Sequence, residues 1–253
     1  MKVYLFLDFD GTLTPIVSTP RKAILSAKAK NVLRRLAKHR AFKVSIISGR
    51  AIKDLRKKIG IKNIVYAGNH GMEIKGPGIS YKAVIKRGVA SAMKRCNDLL
   101  NNRLHSIPGI KVENKGMTVS VHFRNVAQSM VPFISKTVRN VARENAKNGL
   151  IRIDTGKKVL ELKPNIAWDK GKAAQLILSR YKKSEGTVAV VPVFIGDDST
   201  DEDAFKAFRN NGITVLVGKP RNTFAKYRLR NPGEVIKFLE SIMETEKWKF
   251  YQA

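Results

Sequence analysis

The chain has 253 residues, 43% of them hydrophobic and 27% charged, which suits a globular fold of one large domain or two modest ones and excludes a disordered chain. Its 49 Lys and Arg outnumber 20 Asp and Glu, giving a formal net charge of +29 that draws phosphorylated metabolites, nucleic acid and other anions. A single cysteine, Cys96, excludes an internal disulfide framework or a zinc cluster and fits a reducing, cytoplasmic compartment, and no apolar run approaches the roughly 20 residues of a membrane span.

The first apolar run, Val3-Tyr4-Leu5-Phe6-Leu7, is too short for a signal-peptide core and predicts a buried strand over Lys2–Phe9. A loop holding Pro15 and Pro20 comes next, then a helix over Ser26–His39 with Val32, Leu33 and Leu36 at core spacing. A strand at Lys43–Ile47 ends in Ser48-Gly49-Arg50, and a helix is expected over Ile52–Ile59. A third strand, Asn63–Ala67, runs into Gly68-Asn69-His70-Gly71, and Met72–Tyr81 reads as a hairpin turning at Gly76-Pro77-Gly78.

The periodicity then changes. Helix Ile85–Asn102 precedes short strands Ile110–Asn114 and Met117–Arg124, and helix Ser129–Asn148 precedes strands Ile151–Asp154 and Lys158–Lys163 around a turn at Thr155-Gly156-Lys157. Pro164 closes this α-β-β-α-β-β insert, after which the alternation resumes. Helix Lys170–Arg180, strand Val188–Ile195, helix Asp201–Arg209, strand Ile213–Val217 and a helix from about Pro232 complete the chain. Alternating strand and helix predicts a Rossmann-like parallel sheet. The boundaries place a core at residues 1–83 and 165–253 and an insert at 84–164. The insert carries 16 Lys and Arg against 5 Asp and Glu, so the basic excess is shared by both parts and marks neither as a nucleic-acid module.

In so basic a chain the acids are informative. Asp8 and Asp10 end the first strand; Asp197, Asp198, Asp201, Glu202 and Asp203 come after the strand ending at Ile195. Open α/β sheets carry their chemistry at the carboxyl ends of strands, so neighbouring strands would bring the two clusters together. Two readings remain open: caps for the next helix, or carboxylates gathered around a hard divalent cation, with Mg²⁺ the natural choice. Capping accounts for Asp201 to Asp203 but leaves Asp8 and Asp10 unexplained.

Asp8-Phe9-Asp10-Gly11-Thr12, Ser48, Lys170 and Gly196-Asp197-Asp198-x-x-Asp201 resemble, in order and spacing, the four motifs of the haloacid-dehalogenase-like phosphatases. Longer stretches are similar to the trehalose-6-phosphate phosphatase branch: Ile47-Ser48-Gly49-Arg50, Ala67-Gly68-Asn69-His70-Gly71, Val112-Glu113-Asn114-Lys115, Val121-His122-Phe123-Arg124 and Glu161-Leu162-Lys163-Pro164. The resemblance implies an α/β hydrolase core with an inserted α+β cap that sets specificity, and a Mg²⁺-dependent hydrolysis of trehalose 6-phosphate. It assigns Asp8 as nucleophile and Asp10 as acid and base, with Ser48 and Lys170 on the phosphate oxygens. Asp8, the Asp10 carbonyl and Asp197 would hold the metal, with Asp201 and Asp198 behind them. Arg50, Asn69, His70, Gly71, Glu113, Lys115, His122, Arg124, Glu161 and Lys163 become candidate substrate contacts, each cap residue equally readable as a surface ion pair.

Two positions depart from the branch, Lys163 and Ser199, each where arginine is usual; an ammonium does not reproduce a guanidinium fork. The alternatives are a related capped phosphatase (sucrose phosphate, mannosyl-3-phosphoglycerate or broad specificity) and a basic nucleic-acid-binding protein on a retired phosphatase body. Nucleic acid is otherwise expected only as a non-specific partner of the net charge. A trehalose-6-phosphate synthase is the expected functional partner, and no membrane association is expected.

Overall fold

The computed structural model describes residues 1–186 and 188–244, which divide into two compact units: Met1–Lys82 with the chain from Trp168 onward, and Ala83–Ala167. In the first unit the strands are β1 (Lys2–Leu7), β2 (Phe42–Ile47), β3 (Val65–Gly68), β4 (Glu73–Gly76) and β5 (Ile79–Lys82). The second unit supplies β6 to β9, and the first resumes with β10 (Val190–Gly196), β11 (Ile213–Val217) and β12 (Tyr227–Leu229). The first unit forms one eight-stranded sheet in the order β12-β11-β10-β1-β2-β3-β4-β5, parallel from β12 to β3. The β4 and β5 hairpin is added antiparallel at the edge.

The first run is apolar on both faces because it lies in the middle of the sheet. Val3, Leu5 and Leu7 pack with α1 (Ala27–Lys38), α2 (Ile52–Ile59) and α7 (Pro232–Glu244), whereas Tyr4 and Phe6 pack with α5 (Lys170–Glu185) and α6 (Glu202–Phe208). A strand covered by helices on both sides must be hydrophobic at every position, and each such side chain contributes roughly 1.5–3 kcal/mol by burial. Local signals then set the helix ends. The Ser26 side chain accepts from Ala29 N to start α1, Asp169 accepts from Lys172 N to start α5, and Gly60 ends α2 in the left-handed region at φ 60°.

The second unit contains α3 (Val89–Leu104), β6 (Lys111–Asn114), β7 (Val119–His122), α4 (Val131–Lys147), β8 (Ile151–Gly156) and β9 (Val159–Pro164). Its antiparallel sheet has the order β6-β7-β9-β8. Alternation divides that sheet cleanly: Val119, Val121, Leu160, Leu162 and Ile151 pack with Met93, Leu100, Ile134 and Val138 of the helices. Glu113, Ser120, Glu161 and Asp154, paired across the four strands, belong to the other face. A Rossmann-like core and an inserted α+β cap are therefore present.

Several local expectations change. The helix expected from Ile85 starts at Val89, because Gly88 sits in the left-handed region at φ 89° just before it. Strand β8 runs through Gly156, so the turn is Lys157-Lys158, with Lys158 at φ 64°, and Pro164 is the last residue of β9, not a breaker beyond it. Strand β12 has no counterpart among the expected elements: three residues, Tyr-Arg-Leu, carry no periodic signal and become a strand only by pairing with β11.

Candidate active site

The strand order reverses at β1, which lies between β10 and β2, and the crevice at such a switch point is where open α/β sheets bind ligands. Register brings the motif residues to that one end. Leu7 pairs with Ile195 and Ile46, and Asp8 N donates to Ile195 O at 2.9 Å, so Asp8, Ser48 and Asp197 all emerge at the carboxyl ends of adjacent strands. The Phe9 carbonyl accepts from both Leu13 N and Thr14 N at 3.0 Å, closing the loop that carries Asp10. Gly11 has φ +95°, and a Cβ there would lie 2.3–2.6 Å from the Asp197 carboxylate, so only glycine lets that carboxylate approach the loop.

Asp8, Asp197 and Asp201 are buried, and each offers a carboxylate oxygen within 4.8 Å of the others. Lys170, only 3% exposed at the first turn of α5, places Nζ 2.8 Å from Asp8 Oδ1 and 2.8 Å from Asp201 Oδ1. The other oxygen of Asp201 accepts from Asp197 N at 3.0 Å and Asp198 N at 3.1 Å, so Asp201 holds the β10 loop in shape. Gly196 makes room for it, since a Cβ at that position would fall within 2.2–2.6 Å of the Asp201 side chain.

Three buried carboxylates against one ammonium is a strained balance, visible in the proton affinities of Asp8 and Asp201. Burial pushes the Asp8 carboxyl well above the usual range; Lys170 pulls it back, and Asp201, Asp197 and Asp198 add to the rise. Burial likewise raises Asp201 to about 6 against the pull of Lys170. Burial works against the charge of Lys170, but Asp201 and Asp8 outweigh it and hold the ammonium well above its ordinary range. At Asp198 burial is outweighed by Lys170 and by hydrogen bonds from Thr200, which hold that carboxyl at about 2.

The donor set suits a hard divalent cation: carboxylate oxygens alone, with more negative charge than Lys170 balances. Asp8 and Asp197 each offer a carboxylate oxygen to that group. Both oxygens of Asp201 already accept hydrogen bonds, from Lys170 and from two backbone amides. Asp198, expected as a further metal residue, lies outside the group. Its Oδ1 accepts from Thr200 N and Thr200 Oγ1 at 2.7 Å each, capping the turn Ser199–Asp201. The capping reading thus holds for Asp198.

The Asp10 carboxylate pairs with Arg50. Arg50 Nε donates to Asp10 Oδ2 at 2.6 Å and Nη2 to Oδ1 at 2.7 Å, while Nη1 reaches Asp54 Oδ2 at 2.6 Å and Nη2 the Pro20 carbonyl at 2.8 Å. The guanidinium, only 8% exposed and 5.3 Å from the Phe9 ring centroid, is engaged within the protein. Ser48 is buried, its Oγ accepting from Arg50 N at 3.2 Å and its carbonyl from His70 N at 2.9 Å. Asn69 and His70 both occupy the left-handed region, φ 50° and 57°, and Asn69 Nδ2 donates to Glu73 at 2.9 Å. Consecutive non-glycine residues in that region store backbone strain. The His70 ring lies so close to Gly49 that a Cβ there would meet its Nε2 at 2.7 Å, and Gly71 has φ 86°.

One neighbour of the site carries no sequence signal. Arg221 Nη2 donates to the Asp198 carbonyl at 2.9 Å and pairs with Glu202 at 2.9 Å; Glu202 also accepts from Thr223 Oγ1 and Phe224 N. Residues 218–226 are thereby fastened to the acidic loop by contacts some 20 positions apart, which leave no pattern in sequence.

In the second unit the expected residues form a polar cluster. Glu161 accepts from Lys115 Nζ at 2.9 Å, Ser120 Oγ at 2.9 Å and Thr118 Oγ1 at 3.3 Å, and pairs with Lys163 at 3.1 Å. Lys163 also pairs with Asp154 at 3.1 Å, and Arg124 reaches the Lys157 carbonyl at 3.0 Å. Glu161 and Lys163 are buried, so the surface-pair reading is corrected for them; Thr118 and Ser120 join the cluster without having stood out in the sequence. Glu113 hydrogen-bonds His122 Nε2 at 2.9 Å, and that bond holds its carboxyl down at about 2. A carboxyl depressed in the folded state stabilises above its ordinary value near 4.5, and the contribution is lost as pH falls toward 2. Carboxyl ¹³C NMR is expected to show Glu113 titrating near 2, returning toward 4.5 in His122→Ala; an unchanged midpoint would contradict the pairing.

Parallel-sheet core and α+β insert together give the fold seen in haloacid dehalogenase-like hydrolases. A haloacid dehalogenase-like hydrolase from Bacteroides thetaiotaomicron has the same fold, TM-score 0.66 at 16% identity, covering 95% of this chain and 99% of that one. The trehalose-phosphatase family model matches residues 6–232, and the chain belongs to that family of phosphoric monoester hydrolases. Trehalose-phosphate phosphatase B of Arabidopsis thaliana is 38% identical over 262 residues, 98% of this chain and 67% of that one. The C-terminal domain of the trehalose-6-phosphate phosphatase of C. albicans superposes with TM-score 0.77 at 25% identity, covering 96% and 92%.

Proposed function

We propose that the protein hydrolyses trehalose 6-phosphate to trehalose and phosphate through a phosphoryl group carried on Asp8, with Mg²⁺ at Asp8 and Asp197. The observation that carries this reading is the convergence of Asp8, Asp197 and Asp201, two of them paired with Lys170, at the switch point of the sheet. Asp8 attacks phosphorus: a bond forms from its carboxylate oxygen, the bond to the sugar oxygen breaks, and Asp10 gives that oxygen its proton. Asp10 then takes a proton from water, which attacks the aspartyl-phosphate and frees Asp8. Lys170 and Ser48 hold the phosphoryl oxygens, where positioning and charge supply most of the acceleration. Asp8 and Asp197 would hold the cation, which when bound would offset negative charge at the phosphate.

Family membership and the polar face of the second unit support a sugar phosphate as substrate. We assign recognition of its hydroxyls to residues 84–164, through Glu113, Lys115, His122, Arg124, Glu161 and Lys163, and to Asn69, His70 and Gly71 of the core. Thr118 and Ser120 support this set by orienting Glu161. A synthase that makes trehalose 6-phosphate is the natural partner. Among the described residues no helix is long and apolar enough to cross a membrane; a cytoplasmic location rests on the lone buried Cys96.

Specificity constants across trehalose 6-phosphate, sucrose 6-phosphate, mannosyl-3-phosphoglycerate and glucose 6-phosphate test the assignment. Trehalose 6-phosphate is expected to lead by at least about 10²-fold, the scale set by a few buried polar groups left unpaired with the wrong sugar. Equal or greater turnover of another ester would move the assignment within the class.

A further inference from the structure

The four hydrogen bonds of the Arg50 guanidinium span three segments: the loop after β1 through Asp10, the segment before α1 through the Pro20 carbonyl, and the first turn of α2 through Asp54. Both oxygens of Asp10 accept from one planar fork, the arrangement that fixes a carboxylate in angle as well as distance. Asp54 holds the opposite side of the guanidinium, and Phe9 lies 5.3 Å from its centre. Yet the Asp10 side chain is 39% exposed at the mouth of the crevice, and the Arg50 fork is what restrains its carboxylate there.

We propose that Arg50, held by Asp54, is a positioning residue that aims the Asp10 carboxyl at the leaving oxygen of the substrate. The proposal rests on the reading of Asp10 as the group that protonates that oxygen. A carboxylate free to rotate about its side-chain bonds spends little time in line for proton transfer, and misplacement by about 1 Å costs on the order of 10²-fold in rate. Lysine at this position keeps the charge but cannot hold two oxygens of Asp10, Asp54 and Pro20 together. The effect is therefore on the step that needs the proton, with binding left nearly as it was.

Rapid-quench measurement of the first alcohol released separates the possibilities, with trehalose 6-phosphate and 4-nitrophenyl phosphate as paired substrates. 4-Nitrophenolate departs without a proton, so its first-turnover release does not depend on Asp10. In Arg50→Lys, release of trehalose is expected to slow by roughly 10²-fold and release of 4-nitrophenol by less than about threefold, with KM for both within about threefold. Asp54→Asn, at a more exposed position, should show the same selectivity with a smaller loss, and guards against an Arg50→Lys protein that does not fold. Equal slowing of the two substrates, or a rise in KM with kcat retained, would overturn the proposal and make Arg50 a structural or substrate-phosphate contact. Asp10→Asn is the control: if it fails to discriminate between the substrates, the Asp10 reading itself falls and the proposal with it. If Asp10→Asn discriminates and the Arg50 and Asp54 variants do not, the positioning claim alone fails.

Discussion

Asp8→Asn is expected to abolish phosphate release, by roughly 10⁴-fold or more, while leaving the protein as stable as the native chain or more so. The two expectations come from one feature. Asp8 is buried beside Asp197 and Asp201, and burial pushes its carboxyl well above the ordinary range, so its charged form is disfavoured by folding. Asparagine has nearly the same shape and no charge to desolvate, and Lys170 keeps Asp201 as a partner at 2.8 Å. Thermal melts without divalent cation should therefore show no fall, and up to a few degrees of rise, for a difference of about 1 kcal/mol in a domain of this size. Magnesium should stabilise the native protein by about 2.7 kcal/mol at a hundredfold excess over Kd, raising its melting point, and do so far less in the variant. A strongly destabilised Asp8→Asn would show that Asp8 is kept for the fold.

Lys170→Met should have the opposite sign on stability. It removes the ammonium shared by Asp8 and Asp201 and leaves two buried carboxylates facing each other, the arrangement that costs about 3–5 kcal/mol when one partner of a buried pair is lost. Turnover should fall as well, by roughly 10²–10³-fold, because a charge on the phosphoryl oxygens goes with it. Urea unfolding with and without Mg²⁺ checks the first part: the loss should shrink when the cation is present, since it supplies positive charge to the same carboxylates. An unaltered unfolding midpoint would mean that Asp8 and Asp201 are protonated in the native protein and need no counter-charge. The contrast between neighbours 2.8 Å apart, one stabilising when removed and one destabilising, is specific to a cluster with excess negative charge.

Much of this architecture is legible in the chain, and the reason is geometric. Val3 to Leu7 and the run before Gly196 are apolar at every position because both faces of β1 and β10 are covered, and central parallel strands deliver the residues at their carboxyl ends to one crevice. Asp8 and Asp197 therefore announce themselves as charges ending such runs. Arg50 does not. Its sequence neighbours say only that it comes after a strand, and its true partners lie 40 residues back at Asp10 and four ahead at Asp54. Asp198 reads with its neighbours as a metal residue because sequence shows the acids but not the turn that Asp198 caps. In the second unit, Glu161 and Lys163 stand out as charges, whereas Thr118 and Ser120 are ordinary strand residues until alternation and pairing bring them against Glu161. The fastening of residues 218–226 by Arg221 and Glu202, and strand β12 beyond it, exist only through tertiary contact.

The most direct measurement is phosphate release from trehalose 6-phosphate by the native protein stripped with EDTA and then titrated with Mg²⁺, run beside Asp8→Asn. The account predicts that the stripped protein is inactive, that activity returns in a saturable fashion with the ion, and that the variant stays inactive at every concentration. Release that persists without divalent cation, or that survives replacement of Asp8, would contradict it.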